Sequence, residues 1–83
     1  MSPLTQYGRM AEKHWRQFLP RLVQELESTQ RLHALLLEAE EKTKEEMAML
    51  REHGIAHGLT PDQAQRQAWE TVAPKYLLLP PEA

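Results

Sequence analysis

The stretch from Arg31 to Glu52 constrains the fold most. It runs for 22 residues without proline or glycine and places Leu32, Leu36, Ala39, Met47 and Leu50 at the spacing of one face of an α-helix. At about 1.5 Å per residue this helix would extend roughly 33 Å. That is the full width of a domain built from 83 residues, so the other segments must pack along it.

One domain spanning residues 1–83 is expected, near the size at which a single core only just outweighs chain entropy. With 41% hydrophobic and 27% charged residues the composition is that of a soluble folded chain. No apolar run approaches the roughly 18 residues of a membrane span. No apolar leader and no cysteine occur, which points to a cytoplasmic protein without disulfides or thiolate-bound metal. The net charge of −2 is unevenly spread. Residues 1–23 set Arg9, Lys13, Arg16 and Arg21 against Glu12 alone, whereas residues 24–52 hold eight glutamates against Arg31, Lys42, Lys44 and Arg51. Such a split steers partners or draws two halves of one molecule together.

The expected fold is all-α: a kinked antiparallel helical hairpin with a shorter third helix packed across it. Ser2-Pro3 offers a cap and a first-turn proline, with Thr5 as a second cap one turn later. Leu4, Tyr7, Ala11, Trp15 and Phe18 then recur at helical spacing. Gly8, unfavourable inside a helix, predicts a close backbone approach. The first arm spans about residues 3–28 with a kink at Pro20, and the second about 30–52 with Gly54 ending it. Reversal at Ser28-Thr29-Gln30 sets Leu26 against Leu32, Leu22 against Leu36 and Trp15 against Thr43. Leu59-Thr60-Pro61-Asp62-Gln63-Ala64 supplies an N-cap, a proline at N1, a capping box and a hydrophobic staple for a third helix over 61–73. An apolar tail, 74–83, follows Pro74.

Little in the chain reads as chemistry. His53 and His57 have the i, i+4 spacing of a helical metal pair, but Gly54 lies between them and no third ligand is evident, so no metal or other cofactor is expected. Phosphate-binding loops and nucleophile motifs are lacking, and no catalytic residue is assigned. Glu38 and Glu40, four residues before Lys42 and Lys44, read as a solvated helix face. Arg9, Lys13 and Arg16, extended by Arg21, form a stripe that could contact nucleic acid or an acidic partner. Tyr76, Leu77, Leu78 and Leu79 cannot all lie on one helix face, which marks them as a partner-binding segment, for a second copy or for a target; the alternative is that the leucines fold back over the hairpin.

Leu4-Thr5-Gln6-Tyr7-Gly8-Arg9-Met10, His14-Trp15-Arg16, Leu19-Pro20-Arg21, and Leu32 and Leu36 before a glutamate-rich helix together resemble small transposon-encoded accessory proteins of the TnpV type, over about residues 4–50. The resemblance implies a mobile-element setting and an accessory role, with no activity to carry over. The expected function is therefore that of a non-enzymatic regulatory protein of a mobile element or phage. It would bind another protein or a protein–nucleic-acid complex, with inhibition of a host nucleic-acid defence complex, in the manner of an anti-CRISPR, as one form. A small nucleic-acid-binding protein using the basic N-terminal helix is the alternative.

Overall fold

The computed structural model describes residues 4–82. The Ser2-Pro3 cap lies outside that range. Four helices occur and no strand among the described residues: α1, Gln6–Phe18; α2, Pro20–Ser28; α3, Leu32–Ala56; and α4, Pro61–Tyr76. The expected all-α class is observed.

α1 starts at Thr5, whose extended backbone makes it the N-cap. Pro20 does more than kink the first arm. The residue before a proline is pushed out of the α region, and Leu19 adopts φ −130°, ψ 52°. The chain breaks there into two helices, with Pro20 at the first position of α2, where a missing N–H costs nothing. α2 ends at a turn in which Arg31 N–H donates to Leu26 C=O at 2.8 Å and Gln30 N–H to Glu27 C=O at 3.1 Å. This Schellman pattern needs a left-handed residue at its centre, and Gln30 takes that seat with φ 57°.

α3 runs longer than the sequence suggested. Gly54 does not end it, because the terminating left-handed residue is Gly58, with φ 97°. Leu59 N–H donates to Gly54 C=O at 3.0 Å and Gly58 N–H to Ile55 C=O at 3.1 Å, which satisfies the last carbonyls. Gly54 serves instead as a contact point. A Cβ there would lie 3.0 Å from Leu59 Cδ1 and 3.2 Å from Ala64 Cβ, so its bare backbone lets α4 approach. The capping box of α4 forms as read: Gln63 N–H donates to Thr60 Oγ1 at 3.2 Å and Thr60 N–H to Gln63 Oε1 at 3.0 Å. α4 also passes through Pro74, which is exposed, and the C=O of Ala73 just before it accepts from both Leu77 and Leu78 N–H.

The tightest hairpin is α3 against α4, antiparallel across the short connection at residues 57–60. Lys75 meets Glu46 at 2.7 Å and Arg51 meets Gln65 at 3.2 Å along its length. Met47, Ala68 and Val72 form its core. A second cluster gathers Ala11, Trp15, Leu19, Val23, Leu26, Leu32, Leu36, Ala39 and Leu77, with Trp69 and Tyr76 packed against both. Leu26 and Leu32 thus share a core, as the turn predicts. The register expected further out is not followed. It would place Thr5 beside His53, whereas Thr5 and Gly8 sit on Glu40. The bend at Leu19 re-aims α1, and α4 already covers α3 from Met47 to Gly54. α1 therefore crosses the middle of α3, and Tyr7 stacks on Trp69 at 5.8 Å.

Candidate functional site

Two carboxylates fix the N-terminal helices. Neither α1 nor α2 has a side-chain cap at its own N-cap residue. For α1 the role falls to Glu40, which accepts from Thr5 N–H at 2.6 Å, from the Thr5 hydroxyl and from Gly8 N–H at 3.2 Å. Glu40 is 2% exposed. Burial by itself pushes its carboxyl upward, but the hydrogen bonds from Thr5 and Gly8, aided by Lys44, outweigh it and hold the group below its ordinary value. Gly8 makes the approach possible, since a Cβ there would lie 2.8 Å from Glu40 Oε1. For α2 the cap is Glu82, accepting from Arg21 N–H at 3.2 Å and Leu22 N–H at 3.0 Å.

Glu40 corrects the reading of the acidic run. It does not belong to a solvated face: its position, four after Leu36 and three before the buried Thr43, falls on the inward seam. The charge at a seam position was the available signal, obscured by its i, i+4 spacing to Lys44. The other carboxylates are largely paired. Glu38 meets Lys42 at 2.9 Å, Glu41 meets Lys44 at 3.7 Å, and Lys75 at 2.7 Å lowers the carboxyl of Glu46.

With α1 held this way, an open groove of about 850 Å³ lies between α1, α2 and the first turns of α3. Leu4, Leu32 and Leu36 floor it, and Arg9, Glu12, Arg16, Glu27 and His33 surround them. The His33 Nε2 is buried there without a hydrogen-bond partner. The predicted basic stripe is divided. Arg16 is spent inside the molecule, donating to Glu12 at 3.0 Å and Glu27 at 3.3 Å; the Glu12 hydrogen bond chiefly holds its guanidinium above the usual range. Its partners are on α1 and α2, not on the long helix. Arg9 and Lys13 are exposed and have no ion pair among the described residues, and Arg21 is exposed beyond the bend, using its backbone N–H on Glu82.

The proposed docking segment is used within the chain. Leu77 is fully buried, Tyr76 and Leu79 are half-buried against the main core, and only Leu78 faces outward. Trp15 Nε1 donates to Leu77 C=O at 3.0 Å, and His14 Nε2 lies 2.7 Å from Leu79 C=O. Folding back over the hairpin, the alternative reading of the leucines, describes this tail. Its backbone carbonyls give the two α1 rings their polar partners.

No family model, curated protein or solved structure matches this chain. Among the described residues no group of three or more histidine, aspartate or glutamate side chains is arranged to hold a metal ion, and no helix is long and apolar enough to cross a membrane.

Proposed function

We propose that this is a non-enzymatic binding protein whose α1–α2–α3 groove takes an apolar segment of another protein. The groove itself carries the reading: an open, leucine-floored cleft of a volume common in binding sites. The chain's shape agrees. Its radius of gyration is 14.3 Å, where a compact domain of this length has about 12 Å, and its extents of 47 × 32 × 14 Å make it a flat molecule with much helix surface on its faces. Charge selects the partner. Arg16 is neutralised by two glutamates, while Arg9 on the rim and Lys13 one turn further are not, which suits leucine-type side chains flanked by carboxylates. The mobile-element or phage setting, and inhibition of a host nucleic-acid defence complex as one form of the role, rest on the sequence resemblance over residues 4–50.

The test compares the whole chain with the double variant Arg9→Glu/Lys13→Glu, both positions exposed, after circular dichroism shows equal helicity. A captured host protein supports the reading if its retention falls at least tenfold in the variant and its cross-links map to the groove. Equal retention by both, or cross-links elsewhere, would overturn it. Self-association lost in the variant would make a second copy the occupant instead. Salt-sensitive DNA or RNA retention lost in the variant would replace the reading with direct nucleic-acid binding.

A further inference from the structure

The last turn of α3 carries a pair of groups that the groove does not use. We infer that His53 and His57 form a two-imidazole chelate for a divalent transition-metal ion of the zinc, nickel or copper class. The sequence argued against this because Gly54 lies between them, but α3 continues through Gly54 and His57 N–H donates to His53 C=O at 3.1 Å. His57 is the C-cap residue, with φ −98° and ψ 15°, and this hydrogen bond keeps it one helical turn above His53. The rings face each other with centroids 4.2 Å apart and planes 32° apart, and both residues are exposed.

Metal–nitrogen bonds of about 2.0–2.1 Å require the two donor nitrogens to stand roughly 2.8–3.4 Å apart in octahedral or tetrahedral geometry. With the metal about 3.2 Å from each ring centre, such a chelate holds the centroids roughly 4.5–5.2 Å apart, so the rings, now 4.2 Å apart, have to open slightly to take an ion between them. Imidazole suits zinc, nickel and copper. The site is also held in shape. Gly58 terminates the helix, the Thr60 capping box starts the next one, and Gly54 and Ala64 pack the two helices together at this corner. A cation there sits at the negative end of a 25-residue helix. The other histidines are not alternatives: His14 is engaged by Leu79 C=O and the Nε2 of His33 is buried.

Isothermal titration of the whole chain with Ni²⁺ and Zn²⁺ at pH 7.5 tests the site, alongside His53→Gln, His57→Gln and the control His14→Gln. Saturable binding is expected in the wild type and in the control, weakened at least tenfold in either single variant. It should vanish at pH 5.5, where protons displace the metal from imidazole, and the ion should raise the thermal midpoint of the wild type but not of the single variants. Since both histidines are exposed, the variants are expected to fold. Absence of saturable binding at pH 7.5, affinity unchanged in the single variants, or binding that persists at pH 5.5 would overturn the inference.

Discussion

Replacing Glu40 tests how α1 is attached. The carboxylate satisfies the N–H groups of the N-cap residue and of the third helical residue, in a site that is 2% exposed. Glu40→Ala removes the acceptor used by the buried Gly8 N–H and the half-buried Thr5 N–H. An unsatisfied buried donor costs about 1–3 kcal/mol, and a lost cap typically about 1 kcal/mol. The expected loss is about 3 kcal/mol, a large share of the roughly 4–12 kcal/mol available to a chain of this length. Glu40→Gln keeps an acceptor oxygen but loses the charge and turns an NH₂ toward a donor, so about 1–2 kcal/mol is expected. The two variants can be compared with wild type by urea unfolding from pH 7 to pH 3. Because the folded-state carboxyl lies below its ordinary value, its contribution is fully present above the unfolded value of about 4.3 and is lost as pH falls through the folded one. The gap between wild type and Glu40→Gln should therefore be widest at neutral pH and shrink below about pH 4. A gap that stays constant across that range, or Glu40→Ala unfolding at the wild-type denaturant midpoint, would refute the attachment described.

Trp15→Ala should cost about 3–5 kcal/mol in thermal or urea unfolding, because a 5% exposed ring and its bond to Leu77 C=O are both lost; an unchanged midpoint would mean the ring is not core. Gln30→Gly should stabilise the chain by up to about 1 kcal/mol, since glycine occupies the left-handed seat without the strain of a Cβ, and a fall in stability would show that the glutamine is held there for another reason. Ending the chain at Ala73 removes the fully buried Leu77, worth about 2–3 kcal/mol on its own, and should lower the melting temperature sharply; a preserved midpoint would return the tail to the role of docking segment. Glu82→Ala should cost no more than about 1 kcal/mol, because the two N–H groups it caps are open to water.

What could be read in the sequence was local. The capping box at Thr60 and Gln63, the boundary at Pro20 and the turn after Ser28 each depend on a few neighbouring residues, and each formed. What was missed depended on distant ones. Gly54 and Gly58 are equally suited to end a helix; the chain turns at Gly58 and uses Gly54 as the point where Leu59 and Ala64 pack on the backbone of α3. Pro74 reads as a stop, yet on an exposed helix face its ring and missing N–H were absorbed. Of the groove residues, Arg9 and Arg16 were visible as part of a basic stripe, but nothing nearby in the chain shows that Glu27 would claim Arg16. The four apolar residues from Tyr76 to Leu79 signalled a need for burial, and the sequence left open whether the covering surface belonged to this chain or another.

The remote caps also bear on how the chain is made. α1 and α2 are 13 and 9 residues long, at or below the roughly 12–15 residues at which an isolated helix is even marginal in water. The carboxylate that secures α1 follows Thr5 by 35 positions, and the one that secures α2 follows Arg21 by 61. During synthesis, then, residues 5–28 leave the ribosome before either capping carboxylate, and helices this short are expected to stay largely unformed until α3 is available to receive them. Over that interval Trp15 and its apolar neighbours are exposed to chaperones and proteases, and a lesion at Glu40 would lengthen the exposure as well as weaken the finished fold.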